Sequence, residues 1–207
     1  MELLDIFDEK MLKIGTAERK EVHKRGLWHH TFHCWFVKVI DNDKYVFVQK
    51  RQKGKDTFPE TFDVTAAGHL LSNETPEDGI REVKEELGIN VEFSQLIPMG
   101  IVANEIITAD YTDREFCHTF IYLSDNDFTD FSLQEEEVSG IYLVKVNDLK
   151  ELIMGKKKSI EATGMEETNG QSQPVTTMLT SEDFVPHHRN YYEAVFSNMM
   201  NLNILMK

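Results

Sequence analysis

The alternation of apolar and polar positions predicts strands in the first part of the chain. Residues 31–40 are aromatic and β-branched, residues 44–51 repeat this composition, and a polar turn at 41–43 separates the two segments. The pair is predicted to form a β-hairpin. A shorter extended segment is expected at 62–67.

Strands and helices alternate through the middle of the chain. Further strands are expected at 91–101, 116–123 and 140–146, and helices at 75–87 and 148–154. Strands that interleave with helices predict an α/β domain with a mixed sheet.

The two ends of the chain differ in composition from the middle. Residues 28–155 are predicted to form the domain, and residues 1–27 an N-terminal extension to it. Residues 156–180 are rich in polar residues, which predicts an exposed polar loop. Apolar spacing returns in residues 181–207, where we expect a C-terminal helix packed on the domain.

The helix predicted at 75–87 has a concentrated acidic face. At about 100° per residue, three of its glutamates share an arc of about 100°, and its apolar residues lie on a separate arc. These glutamates are Glu82, Glu85 and Glu86. Their mutual repulsion would be relieved by a divalent cation, and carboxylate oxygens are ligands that Mg²⁺ prefers. Gly88 follows as a natural helix stop.

The composition limits the class of protein and its partners. The 207 residues suffice for one domain with a short appendage, and the formal net charge of −14 argues against binding to a nucleic acid polymer. A small phosphorylated ligand remains compatible with this charge, because a metal ion can mediate the contact. The two cysteines, Cys34 and Cys117, fit a reducing compartment, and no membrane span or signal peptide is recognisable. We therefore expect a cytoplasmic protein without a membrane partner.

The segment from Gly68 to Ile89 reads GHLLSNETPEDGIREVKEELGI. It resembles the Nudix box, in which a glycine, five residues and a glutamate precede the run Arg-Glu-x-x-Glu-Glu-x-Gly. The second half of the segment matches at every specified position. The spacer between Glu74 and Arg81 has six residues, one fewer than the family pattern.

The resemblance implies a Nudix-type α/β/α sandwich that hydrolyses a diphosphate linkage with Mg²⁺ or Mn²⁺. By position, the metal ligands would be Glu82, Glu85 and Glu86. Arg81 would be structural and would hold a glutamate such as Glu74 by a charge-assisted hydrogen bond. Gly68 would let the backbone approach the metal closely.

A second resemblance covers four shorter segments. Residues 28–36, 48–51, 66–69 and 113–117 look like the corresponding segments of Nudix-fold isopentenyl diphosphate isomerases. In that family a catalytic cysteine precedes the glycine of the Gly-His pair, and Ala67 stands at this position here. Isomerisation needs a proton donor and acceptor on opposite faces of a double bond, and alanine supplies neither. This difference and the full glutamate set favour a hydrolase.

The general base is left open among Glu74, Glu85, Glu86 and Glu115, and Glu136 and Glu137 could also supply it. Two histidines, His29 and His69, match metal-binding positions of the isomerases, so a second metal site is an alternative to a role of His69 near the substrate phosphate. Lys50 and Arg51 end a strand beside the predicted site and are expected to contact a phosphate of the substrate. The adjacent histidines His187 and His188 lack the i,i+4 spacing of a metal site, and we assign them no function.

The sequence thus predicts a metal-dependent hydrolase that cleaves the diphosphate linkage of a nucleoside-diphosphate-linked or related small molecule. Two alternatives are kept. One is an isopentenyl diphosphate isomerase-like enzyme, and the other is a non-catalytic sensor that binds a nucleotide or metabolite on a Nudix scaffold. The acidic charge and the apolar C-terminal helix also allow a homodimer.

Overall fold

A single mixed sheet dominates the computed structural model, which describes residues 2–108, 112–168 and 171–202. Its first half contains β1 Leu3–Phe7, β2 Lys13–Glu18, α1 Arg19–Arg25, β3 Trp28–Ile40, β4 Asp43–Arg51, β5 Phe62–Asp63, β6 Ala66–His69 and α2 Arg81–Leu87. Its second half contains β7 Leu96–Ile107, β8 Thr112–Leu123, β9 Val138–Lys145, α3 Val146–Ile153, β10 Ile160–Thr168, β11 Gln171–Leu179 and α4 Arg189–Asn201.

Strand β3 is the centre of the sheet and changes partners along its length. One edge pairs in parallel with β8 over ten positions, and β8 pairs with β7 in an antiparallel hairpin. On its other edge, β3 pairs successively with β1, β6 and β4, all antiparallel. The sheet continues from β4 through β9 and β10 to β11, and from β1 to the edge strand β2.

Alternation along β3 sends its side chains into two separate cores. Phe32 and Phe36 pack with Val83 and Leu87 of α2 on one face of the sheet. Trp35 and Val37 belong to the core on the other face, which includes residues of α3 and α4. The layers are therefore α/β/α, with a mixed sheet and a C-terminal helix, as the sequence predicted.

The N-terminal residues predicted as an extension to the domain add two strands to this sheet. Ile6 of β1 lies opposite His29 of β3, and β2 pairs with β1. Leu4 of β1 and Val22 of α1 are fully buried. The sequence of residues 1–27 did not predict these contacts, because its charges are mixed. The charged residues lie on the solvated sides of short elements.

The prediction of an exposed loop at 156–180 is wrong. Strand β10 pairs with β9, and β11 pairs with β10 in an antiparallel hairpin at the edge of the sheet. Ile160 and Ala162 are buried, while Glu161 between them is exposed. A hairpin with one solvated face carries many polar residues, which is why its composition resembled that of a loop.

Two predicted helices begin later than expected. The α-helix expected at 75–87 starts at Arg81, after a 3₁₀ turn at Asp78–Ile80. The Asp78 carboxylate accepts hydrogen bonds from Thr75 N and Oγ1 at 2.8 and 2.7 Å, which close the segment that leads into the helix. Its end at Gly88 is in the left-handed conformation, with φ 70°. The C-terminal helix starts at Arg189 and its described part ends at Asn201.

The strand expected at 91–101 is displaced to Leu96–Ile107, because Phe93–Gln95 form a 3₁₀ turn closed by hydrogen bonds of Glu92. Cys34 and Cys117 are buried free thiols. Among the residues described, no helix is sufficiently long and apolar to cross a membrane.

Candidate active site

A cavity of about 710 Å³ opens between α2, the end of β4, β8 and the N-terminal elements. Its walls combine carboxylates and histidines with cationic side chains, and few apolar side chains reach it. The carboxylates include Glu82, Glu85, Glu86, Asp113 and Glu115. The cations are Arg19, Lys20, Arg51 and Lys55. The cavity can therefore hold a polar, anionic ligand against an acidic wall.

Glu86 is the most deeply placed glutamate of α2. Its Oε2 accepts hydrogen bonds from Gln49 Nε2 and from the backbone N–H of Ala67, both at 3.1 Å. Burial, together with the negative charge of Glu82, raises the pKa of Glu86 to about 8. A cation beside this carboxylate would favour its ionised form.

Gly68 brings the backbone of β6 against α2. A Cβ atom at this position would lie 2.2 Å from Glu82 Cδ, so only glycine leaves the carboxylate where it is. Glu82 itself is largely buried, with burial raising its pKa, and Glu85 is exposed at the mouth of the cavity. The chemistry of these donors, hard carboxylate oxygens along one helix face, fits a divalent cation.

Arg81 neutralises much of this acidic face. Its guanidinium donates to Glu74 through Nε at 3.1 Å, to Glu82 at 2.6 Å and to Glu85 at 3.1 Å. The shorter spacer therefore still lets Arg81 reach Glu74. Glu74 also accepts from the backbone N–H of Leu71 and does not line the cavity, which argues against its predicted catalytic role.

Lys50 also lies away from the cavity, contrary to its predicted contact with substrate. Its Nζ donates to Glu166 Oε1 of β10 at 2.6 Å. Side chains alternate along β4, so Gln49 and Arg51 reach the side of Glu86 and the cavity while Lys50 faces the opposite side.

A second group of metal-ligating side chains lies next to the α2 glutamates. Ligand atoms of His23, His29 and His69 lie within 4.8 Å of one another, and so do those of His29, Asp113 and Glu115. His23 comes from α1, and sequence reasoning missed it because residues 1–27 were assigned to an extension. His69 of β6 directly follows Gly68, which lies against Glu82. It therefore connects the histidines to the glutamates of α2.

His29 has the features of a ligand to a cation. Its Nδ1 lies 3.0 Å from the carbonyl of Leu27, which places the ring proton there and leaves the lone pair on Nε2. This Nε2 is buried, has no hydrogen-bond partner among the described residues, and lies 3.7 Å from Asp113 Oδ1. Burial and the neighbouring His69 lower the pKa of His29 to about 3, which keeps the ring neutral.

Glu115 of β8 also lines the cavity. Its Oε2 accepts a hydrogen bond from Asn104 Nδ2 at 3.3 Å and a weaker one from the Cys117 thiol at 3.6 Å. Burial, followed by the negative charge of Asp113, raises the pKa of Glu115 well above its usual range. Burial thus favours the neutral carboxyl, and a cation held near Asp113 and Glu115 would favour the carboxylate form that can accept a proton.

The cationic part of the cavity is held by carboxylates and backbone carbonyls. Arg51 donates to Asp63 Oδ2 at 3.1 Å, and to the carbonyls of Thr57 and Phe58 at 3.0 and 3.2 Å. The Nε2 of His187 lies 2.8 Å from the other oxygen of Asp63. Neither Asp63 nor His187 was expected at the site, because 124 positions separate them in the chain and no local pattern links them.

Comparison with known proteins gives consistent results. The NUDIX domain family model matches residues 30–163. An uncharacterised Nudix hydrolase of Clostridium acetobutylicum is 41% identical over 201 residues, covering 97% of this chain and 98% of the relative. An isopentenyl-diphosphate Δ-isomerase of Kocuria rhizophila is 28% identical over 124 residues, covering 59% of this chain and 67% of that protein.

A crystal structure from Deinococcus radiodurans is similar in fold, with a TM-score of 0.57 and 20% sequence identity. The similarity covers 75% of this chain and 91% of that one. At this level of identity it supports the fold alone.

Proposed function

The chain belongs to the Nudix hydrolase family, whose members generally cleave diphosphate bonds and need divalent metal ions, and on this premise we propose that it hydrolyses the diphosphate linkage of a nucleoside-diphosphate-linked or related small molecule. The observation that carries the proposal is that the carboxylates of Glu82 and Glu86 and the Arg51 guanidinium line one polar cavity. An acidic wall suits a cation, and the guanidinium suits the phosphate oxygens that the cation neutralises.

Glu82, Glu85 and Glu86 are the proposed ligands of Mg²⁺ or Mn²⁺. When bound, such an ion stabilises negative charge on the diphosphate oxygens. Gly68 leaves room for the carboxylate of Glu82. Arg81 orients Glu82 and Glu85 by donating a hydrogen bond to each.

Arg51 and Lys55 are the proposed phosphate ligands on the cationic wall. Arg51 is held by its three contacts, and Lys55 pairs with Glu137 at the edge of the cavity. Glu115 is the proposed acceptor for the proton of the attacking water, with Glu85 and Glu86 as alternatives. His69, which lines the cavity, is the proposed neighbour of the substrate phosphate.

The His23, His29 and His69 group supports a second cation as a further proposal, because the buried Nε2 of His29 is directed toward Asp113. This site is compatible with the isomerase alternative. Against that alternative, Ala67 lines the cavity at the position where a thiol would be needed. Deuterium incorporation from deuterated water into isopentenyl diphosphate would establish isomerisation.

The proposal is tested by Glu86→Gln in the presence of Mg²⁺ or Mn²⁺ and a panel of nucleoside-diphosphate-linked compounds, with product identification by mass spectrometry. Loss of a carboxylate that supports both the cation and the attacking water is expected to lower kcat/KM at least about 100-fold. Chelation of divalent ions should abolish turnover by the wild type.

Glu77→Gln is the matched control, because Glu77 precedes the same helix and is exposed. It should keep the wild-type rate. A Glu86→Gln variant that retains full activity would refute the role of α2. Tight binding of a nucleotide with no turnover under any metal condition would instead favour a sensor.

A further inference from the structure

The C-terminal segment places a histidine in the wall of the cavity. Phe184 forms a parallel bridge to Phe62 of β5, and the backbone N–H of Val185 donates to the Phe62 carbonyl at 2.9 Å. The hydroxyl of Tyr192 donates to the Val185 carbonyl at 2.8 Å, which fixes the segment against α4. His187 is thereby brought beside Asp63, the residue that follows Phe62.

The hydrogen bonds around Asn104 determine which nitrogen of His187 carries the proton. Asn104 Oδ1 accepts from the backbone N–H of His188 at 2.9 Å, so its Nδ2 is the donor end of the amide. Nδ2 lies 3.0 Å from His187 Nδ1, which must therefore accept. The proton is on Nε2, which donates to Asp63 Oδ1 at 2.8 Å.

Both ring nitrogens of His187 are thus occupied by protein groups, and its side chain is only 5% exposed. A histidine in this state cannot transfer a proton to substrate without losing one of its contacts. Its contacts lead to Arg51 instead, since Asp63 Oδ2 accepts from Arg51 Nη1 at 3.1 Å.

Arg51 is well suited to receive a phosphate in this arrangement. A guanidinium has five N–H donors, and the contacts to Asp63, Thr57 and Phe58 use three of them. With respect to the described part of the chain, one N–H on each Nη stays available for the two oxygens of a phosphate. Rotation of Asp63 would release Nη1 and change this geometry.

We propose that His187 is a positioning residue, which orients Asp63 so that Asp63 holds the Arg51 guanidinium toward a phosphate of the substrate. The inference rests on the proposed function, because it takes Arg51 as a phosphate ligand. His187 lies beyond residue 163, where the match to the family model ends, so the family pattern does not assign this role.

The test compares His187→Ala and His187→Gln with the wild type, on a diphosphate that the wild type hydrolyses. Arg51 contacts the phosphate before and during reaction, so His187→Ala should raise KM at least about 10-fold and change kcat less than about 3-fold. The glutamine amide can accept from Asn104 and donate to Asp63, so His187→Gln should stay within about 3-fold of the wild-type KM.

Three further variants separate positioning from general stability. His188→Ser keeps a helix-capping side chain next to the site and should have wild-type kcat and KM. Arg51→Ala should raise KM at least as much as His187→Ala. In a cycle of Asp63→Asn with His187→Ala, the double variant should have the KM of the worse single variant, because both changes act through one contact chain.

Folding of each variant is checked by circular dichroism, and His187→Asn replaces His187→Ala if the latter does not fold. An unchanged KM in the folded variant, multiplicative effects in the cycle, or no effect of Arg51→Ala would each overturn the inference. In those cases an active wild type leaves the proposed function intact. A wild type that cleaves no diphosphate would overturn the proposed function and this inference together.

Discussion

The two walls of the cavity are built in different ways. The acidic wall comes from one short helix and the glycine that faces it, so its residues are neighbours in sequence. The cationic wall joins Arg51 and Asp63 to His187, which lies 124 positions beyond Asp63 in the chain. Helical periodicity determines the first wall, and long-range docking determines the second. A local motif can therefore locate the chemistry, while segments outside it shape the space for the substrate.

The largest expected effect concerns the acidic wall. In Gly68→Ala the new methyl group would collide with the carboxylate of Glu82, which can move because it is the end of a flexible side chain. We expect kcat/KM to fall about 100-fold, or about 2.7 kcal/mol in transition-state stabilisation, with little change in melting temperature. Steady-state kinetics and thermal unfolding of the same preparation measure both quantities.

Gly79→Ala is the control for that variant. A Cβ atom there would lie 2.7 Å from Leu70 Cδ2 and Phe32 Cβ, which belong to the core and do not line the cavity. Overpacking should lower the free energy of unfolding by about 1–3 kcal/mol and leave the activity of the folded fraction unchanged. If Gly68→Ala loses stability and keeps its rate, the glycine serves packing and not the site.

A smaller effect is expected where α4 packs against the sheet. Tyr191 of α4 is fully buried, and its hydroxyl lies 2.7 Å from His33 Nδ1 and 3.2 Å from Trp35 Nε1. Tyr191→Phe leaves both nitrogens buried without this partner, and we expect a loss of about 2 kcal/mol in the free energy of unfolding, measured by urea titration.

Tyr192→Phe provides the comparison for Tyr191→Phe, because within the described residues the Tyr192 hydroxyl makes one hydrogen bond, to the Val185 carbonyl. Its loss should cost about 1 kcal/mol. Equal stability of Tyr191→Phe and the wild type would show that α4 does not contribute a specific polar contact to the sheet.

Much of the fold and of the acidic wall is local and could be predicted. The arc of Glu82, Glu85 and Glu86 follows from helical spacing alone, and the turn at Gly88 from the need for a left-handed residue. The pairing of His187 with Asp63 could not be predicted, because it depends on how α4 docks. The β10–β11 hairpin was missed because an edge hairpin presents mostly polar residues to solvent.

The smallest expected effect distinguishes two neighbouring residues of β4. The sequence predicted both Lys50 and Arg51 as phosphate ligands, whereas strand alternation places Lys50 against Glu166, on the side away from the cavity. Lys50→Met should therefore change kcat and KM less than about 2-fold, and the loss of a partly exposed ion pair should cost at most about 1 kcal/mol. Steady-state kinetics next to Arg51→Ala measure the difference. A rise in KM for Lys50→Met comparable to that for Arg51→Ala would mean that β4 presents both cations to the substrate. In that case the side of the sheet that each β4 side chain faces, and not the docking of the chain ends, would be the feature of the site that the sequence fails to predict.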